Sequence, residues 1–79
     1  MQTESESSPV STVAVTINLN GTSFTLPSPA SIGSLVAIRS PRPPFAVELN
    51  KRLVRRPQYE STPLVDGDVV EIVTLVGGG

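Results

Sequence analysis

The stretch that decides the fold is VVEIVTLVGGG, from Val69 to Gly79, at the end of the sequence. Apart from Glu71, the residues before the glycines are β-branched or apolar, which is typical of a β-strand. Glycine loses the most backbone entropy on ordering and gives the core no side chain, so the last three residues add nothing to stability. We therefore predict a rigid strand followed by a flexible tail made of Gly77, Gly78 and Gly79.

The tail suggests a chemical use for its last residue. A segment without Cβ atoms can pass through a narrow slot, and three residues reach about 10 Å beyond the fold. The reactive group would be the α-carboxylate of Gly79, which is ionised at neutral pH and is a poor electrophile. Another protein would have to activate it. A frayed chain end or an expression scar explains the same glycines, so the tail alone decides nothing.

Composition excludes several classes of function. The chain has 79 residues, enough for one small domain without a deep active-site cleft. Its net charge of −1 indicates neither nucleic acid nor a membrane surface as a partner. It contains no Cys and no His, and this excludes disulfides, thiolate nucleophiles, zinc clusters and a histidine general base. We expect a protein that is not itself an enzyme, with no metal site.

The first residues indicate neither a membrane segment nor a signal peptide. Residues 1–12 carry Glu4 and Glu6 but no basic residue and no apolar core, and no apolar run in the chain approaches the roughly 20 residues of a membrane span. Rich in Ser, Thr and Glu, residues 1–12 are predicted to be a disordered leader. We expect a cytoplasmic monomer with its folded domain at residues 13–76.

The folded part opens with a β-hairpin. Apolar residues alternate with small or polar ones from Val13 to Leu19, the pattern of a half-buried strand. Asn20 and Gly21 suit the positive φ angles of a type I′ turn, and residues 22–26 alternate again.

A short helix follows the hairpin. Ser31 can cap its N-terminus, and Pro41 ends it within about two and a half turns. Gly33 lowers its propensity, and no Glu or Gln completes a capping box, so packing on the sheet must hold it. The packing stripe consists of Ile32, Leu35 and Val36.

Three more strands complete the pattern. Pro41 to Pro44 form a stiff connector, residues 45–49 alternate as a third strand, and residues 53–54 form a short edge strand. A tight turn at residues 62–68 then leads into the final strand, at the start of the decisive stretch.

The final strand is predicted to present two different faces. Val70 and Ile72 should face the core, whereas alternate residues lie on the opposite face. A small sheet with one helix covers one face only, so the other should be solvated. Aliphatic side chains exposed beside the tail indicate a partner-docking patch, unless they tuck under a loop. The predicted patch consists of Val69, Val73, Leu75 and Val76.

The order of elements is that of the ubiquitin-like β-grasp fold. This predicts an α+β protein with a mixed four- to five-stranded sheet and one short helix packed on one face. From residue 13 to 79 the sequence resembles the ThiS-type sulfur carrier proteins of thiamine biosynthesis. The similar stretches are Val13 to Asn18 with Asn20-Gly21, Val47 to Asn50 running on to Arg56, Tyr59, and above all Thr62-Pro63-Leu64-Val65-Asp66-Gly67-Asp68 continuing to the three final glycines.

The resemblance implies a carrier cycle in which partners supply the chemistry. An E1-like adenylating enzyme of the ThiF type would use ATP to adenylate the carboxylate of Gly79. A sulfur donor would displace AMP to leave a thiocarboxylate, which thiazole synthase of the ThiG type would consume. The carrier itself would bind no cofactor. The leader, the glycine-containing helix and the proline cluster depart from the family pattern, and none of them touches the tail.

Other proteins share these features. The small subunit of molybdopterin synthase has the same fold and tail, but that family tends to carry aromatic and proline residues where this chain has residues 73–76, VTLV. A carrier for tRNA thiolation or a ubiquitin-like modifier would look similar. A different class is a non-covalent β-grasp interaction module with an inert tail.

Overall fold

The computed structural model of the protein describes residues 14–75. The predicted leader at residues 1–12, the residues Val13 and Val76, and the glycine tail lie outside this range. The elements are β1 (Ala14–Leu19), β2 (Thr22–Pro27), β3 (Ala30–Ser31), α1 (Ile32–Arg39), β4 (Phe45–Leu49), β5 (Arg52–Val54), a 3₁₀ turn (Arg56–Gln58), β6 (Pro63–Leu64) and β7 (Val69–Thr74).

Five strands form one mixed sheet in the order β2-β1-β7-β4-β5. β1 and β7 are parallel, and the other neighbouring strands are antiparallel. With α1 on one face, this confirms the predicted β-grasp architecture. Asn20 and Gly21 have φ angles of 50° and 85°, as the predicted turn between β1 and β2 requires.

A second, two-stranded sheet was not predicted. β3 and β6 pair Ala30 with Leu64 and Ser31 with Pro63. The turn predicted at residues 62–68 therefore contains a strand as well as Gly67, whose φ is 90°. Strands of two residues are too short to show alternation, so the sequence pattern could not reveal them.

The core lies between α1 and one face of the five-stranded sheet. Val70 is fully buried, as predicted, but Ile72 is only partly buried because it lies near the end of β7. The buried apolar side chains are Val15, Ile17, Leu19, Leu26, Ala30, Ile32, Leu35, Val47, Val54, Leu64 and Val70.

The helix is capped better than the sequence indicates. The Ser34 N–H donates to Oγ of Ser31 at 3.0 Å, and the Ser31 N–H donates to Oγ of Ser34 at 2.9 Å. The expectation that no capping box forms was wrong, because a serine at the third helical position takes the place of Glu or Gln. At the other end, the N–H of Ser40, with φ of 48°, donates to the carbonyl of Val36, one residue before the predicted stop at Pro41.

Gly33 lies at a contact between α1 and the loop before β6. A Cβ at this position would meet only the end of the flexible Glu60 side chain, which can move aside. The Gly33 N–H also donates to the carbonyl of Tyr59 at 2.9 Å, which holds the start of the helix against the loop before β6. Gly33 lowers the helix propensity of α1, but its backbone hydrogen bond to Tyr59 anchors the start of the helix. Within residues 14–75, no helix is long and apolar enough to cross a membrane.

Candidate functional site

β7 is the middle strand of the sheet, and it leads directly toward the glycine tail. Its residue Val70 is fully buried and pairs with Leu19 of β1 on one side and Leu49 of β4 on the other. A strand buried between two neighbours is among the most stable parts of a domain. This two-sided attachment lies in the first half of β7, at Val69 and Val70.

The last described residues remain attached to β4. Thr74 pairs with Phe45, and the Leu75 N–H donates to the carbonyl of Pro44 at 2.8 Å. On the other side of β7, the side-chain amide of Asn20 is hydrogen-bonded to both backbone groups of Ile72. The path of the chain is thus fixed as far as Leu75. Gly77, Gly78 and Gly79 lie outside the described residues.

Three residues of the predicted docking patch lie together on the open face of the sheet. Val69 and Val73 of β7 are 43% and 47% exposed, and Leu75, just after the strand, is 50% exposed, as the alternation predicts. They do not tuck under a loop. The fourth predicted member, Val76, is outside the described range. The structure thus brings the described members of the patch to one face of the sheet, with Val73 and Leu75 nearest the tail and Val69 at the start of β7.

Leu53 extends this apolar surface and was missed. It pairs with Glu48 across β4 and β5, which places it on the open face, and it is 58% exposed. The sequence indicated a short edge strand here, but a two-residue segment did not show which face its side chains occupy. Only the pairing register settles that point.

The open face has an acidic centre. Glu48 and Glu71 lie directly opposite each other across β4 and β7, and Lys51 lines the same shallow recess together with Val69. Like charges opposite each other in a sheet are destabilising. The surface beside the tail is therefore apolar at its edges and mainly acidic in the middle.

A second recess, with a volume of about 570 Å³, lies at the β5 edge of the sheet. Phe45 and Tyr59 stack beside each other with ring centroids 6.5 Å apart, and both line this recess. Pro44, which accepts the hydrogen bond from Leu75, is also on its wall. Arg55 and Arg56 complete its polar side. The recess adjoins the last fixed residue before the tail.

Between Ala14 and Leu75, no three Asp or Glu side chains are grouped so that they could hold a metal ion. The arrangement therefore consists of an ordered strand, an exposed aliphatic surface beside its end, and a carboxylate expected at Gly79. The mixed five-stranded sheet with one helix on one face is that of a ubiquitin-like β-grasp protein.

The comparisons with known proteins identify the family. The model of the ThiS family matches residues 3–79, so the chain belongs to the ThiS family. This confirms the resemblance found in the sequence, and the protein is a sulfur carrier of the ThiS type. Two relatives named "Uncharacterized protein ycf40" match over 68 residues, which are 82% of this chain and 93% of theirs. The protein from Porphyra purpurea is 37% identical, and the one from Pyropia yezoensis is 38% identical.

A solved structure supports the same assignment. The crystal structure of the thiamine biosynthesis protein ThiS from Geobacter metallireducens is similar to this chain with a TM-score of 0.67 and 28% identity. The match covers 82% of this chain and all of the other. Similarity at this level over a whole small domain confirms the mixed sheet with one helix as a ThiS-type β-grasp.

Proposed function

We propose that this protein carries sulfur for thiamine biosynthesis as a thiocarboxylate on Gly79. The observation that carries the proposal is the family match over residues 3–79, which runs through the glycine tail. The order of β7 up to Leu75 supports it, because a fixed base lets a short tail reach a partner's active site in a defined direction. In this function the protein is a co-substrate and not an enzyme.

The proposed cycle needs three partners and no cofactor on the carrier. In an E1-like enzyme of the ThiF type, a carboxylate oxygen of Gly79 attacks the α-phosphorus of ATP and displaces pyrophosphate. In the simplest balanced reaction, hydrosulfide from a sulfur donor then attacks the acyl carbon of the adenylate. AMP leaves and takes the former carboxylate oxygen with it. Deprotonation gives the thiocarboxylate, in which one sulfur has replaced one oxygen. Thiazole synthase of the ThiG type transfers this sulfur to its substrate, and an oxygen atom from that substrate or from water takes its place on the acyl carbon, which restores the carboxylate.

The exposed surface of β7 is the proposed docking patch for these enzymes. A tail of three glycines reaches only about 10 Å, so a partner must contact the surface beside it. Val73 and Leu75 provide that surface, together with Val76 by proposal, and Val69 extends it to the start of β7. Each of the three described side chains is about half exposed, which leaves apolar surface that a partner would bury.

Leu75→Glu should weaken docking without unfolding the protein. Leu75 is half exposed, and its side chain belongs to none of the core positions. Burying a whole leucine contributes about 1.5–3 kcal/mol, and half of Leu75 is left for a partner to bury. With the added cost of burying a charge, we expect the KM of the activating enzyme for the protein to rise about tenfold. Steady-state adenylation kinetics and thermal unfolding measure the two effects.

Ile38→Glu is the matched control, because Ile38 is also 50% exposed but lies on α1, on the other side of the sheet. It should leave the KM unchanged. An unchanged KM for Leu75→Glu would refute the docking patch. Loss of the folded state would show that Leu75 supports the core.

The acceptor is tested with protein that already carries the thiocarboxylate. Mixed with thiazole synthase and its other substrates, the carrier should return to the carboxylate form in step with thiazole formation. The large subunit of molybdopterin synthase serves as the competing acceptor and should leave the thiocarboxylate intact. Discharge by the latter alone would contradict the thiamine assignment while keeping the carrier role.

A further inference from the structure

β7 has a neighbouring strand on both sides for only part of its length. β1 pairs with it at Asn18 with Val69 and at Leu19 with Val70, and then turns away through Asn20 and Gly21. β4 continues to pair with β7 as far as Thr74. The backbone of β1 therefore leaves one side of β7 open just before the tail.

The side chain of Asn20 takes the place of the missing strand. The Ile72 N–H donates to its Oδ1 at 2.8 Å, and its Nδ2 donates to the Ile72 carbonyl at 3.1 Å. Both backbone groups of Ile72 on that side are thus satisfied by one amide. Asparagine suits this position because it combines a donor with an acceptor and tolerates the left-handed φ of 50° found here.

We propose that Asn20 is a positioning residue for the tail: its side-chain amide holds the end of β7 so that the chain leaves the sheet in one direction. The inference rests on the proposed function of the tail. Ile72 is three residues before Leu75, the last described residue. Without the amide, the segment from Ile72 to Leu75 is held from the β4 side alone. The fraction of molecules in which the end of β7 is aligned then falls. The apparent affinity of the activating enzyme for the protein falls by the same factor.

The chain contains a matched control in Asn50. This residue also begins a turn with φ of 50°, and its side chain also binds β7. The Val69 N–H donates to its Oδ1 at 2.9 Å, and its Nδ2 donates to Oδ1 of Asp68 at 3.1 Å. These bonds hold the start of β7, far from the tail. Glycine accepts the positive φ at both positions, so Asn20→Gly and Asn50→Gly remove similar amides without adding backbone strain.

The test compares the two variants by amide hydrogen exchange and by adenylation kinetics. Asn20→Gly should speed exchange at Ile72, Val73 and Leu75. It should raise the KM of the activating enzyme for the protein severalfold, with about tenfold as the limit set by two hydrogen bonds between neutral groups, and leave kcat within about twofold of the unsubstituted protein. Asn50→Gly should speed exchange at Val69, which lies in the docking patch but far from the tail, and should raise the KM clearly less than Asn20→Gly does.

Three outcomes would overturn the positioning role. These are equal KM values for the two variants, a loss confined to kcat, and unchanged exchange at Ile72 in Asn20→Gly. A different result bears on the proposed function: if the unsubstituted protein accepts neither AMP nor sulfur, the carrier role fails. The exchange measurements still decide in that case whether Asn20 fixes the end of β7.

Discussion

Removal of Gly78 and Gly79 should abolish sulfur loading and leave the melting temperature almost unchanged. The new terminal carboxylate, on Gly77, would lie about 7 Å short of the position that the activating enzyme requires. A near-attack geometry demands contact distances of about 3–3.5 Å, so a gap of this size stops the reaction. Among residues 14–75, the buried apolar side chains all lie between Val15 and Val70, and the truncation removes none of them. The melting temperature should therefore change by less than about 4 °C, which corresponds to less than about 1 kcal/mol.

A variant lacking residues 2–12, the predicted leader, is the control for shortening the chain. It should accept sulfur as the full chain does, because the leader has no part in the proposed chemistry. Sulfur loading of the protein without Gly78 and Gly79 would refute the carrier mechanism. A large fall in its melting temperature would show that the tail belongs to the folded structure.

Leu35→Ala should be strongly destabilising, with a loss of about 2–5 kcal/mol in the free energy of unfolding. Leu35 is fully buried between α1 and the sheet, so truncation leaves a cavity at their contact. Alanine has the better helix propensity, and the loss therefore reports packing alone. For a small domain this is a large part of the total stability. Urea denaturation measures it.

Ile38→Ala on the same helix separates packing from helix propensity. Ile38 is half exposed, and we expect a change of less than about 1 kcal/mol. Equal losses for the two variants would contradict the placement of the core under Leu35. Together with the truncation, this pair distinguishes residues that hold the fold from residues that serve the tail.

Patterns with a short period predicted most of the fold. The alternation in β1 and β7 follows from a sheet that is covered on one face, so the exposure of Val69 and Val73 could be anticipated from the sequence. The Asn20-Gly21 turn was equally predictable, because few residue pairs accept two positive φ angles. These are local rules, and they also placed the patch beside the tail.

Features that depend on distant parts of the chain could not be predicted in this way. The pairing of β3 with β6 joins residues more than thirty positions apart through strands of two residues each. The position of Leu53 on the open face depends on the register of β4 with β5. The contact of Asn20 with Ile72 spans 52 positions and arises only because β1 ends earlier than β7. Composition and periodicity carry no signal for such contacts.

The central claim is that Gly79 carries sulfur, and an intact-mass measurement tests it most directly. The protein is incubated with ATP, an E1-like activating enzyme of the ThiF type and a sulfur donor, with an ATP-free sample beside it. We predict a mass gain equal to one sulfur minus one oxygen, which depends on ATP and which fragmentation assigns to Gly79. If the enzyme loads another carrier but leaves this protein unchanged, the tail is inert and the protein is a non-covalent interaction module.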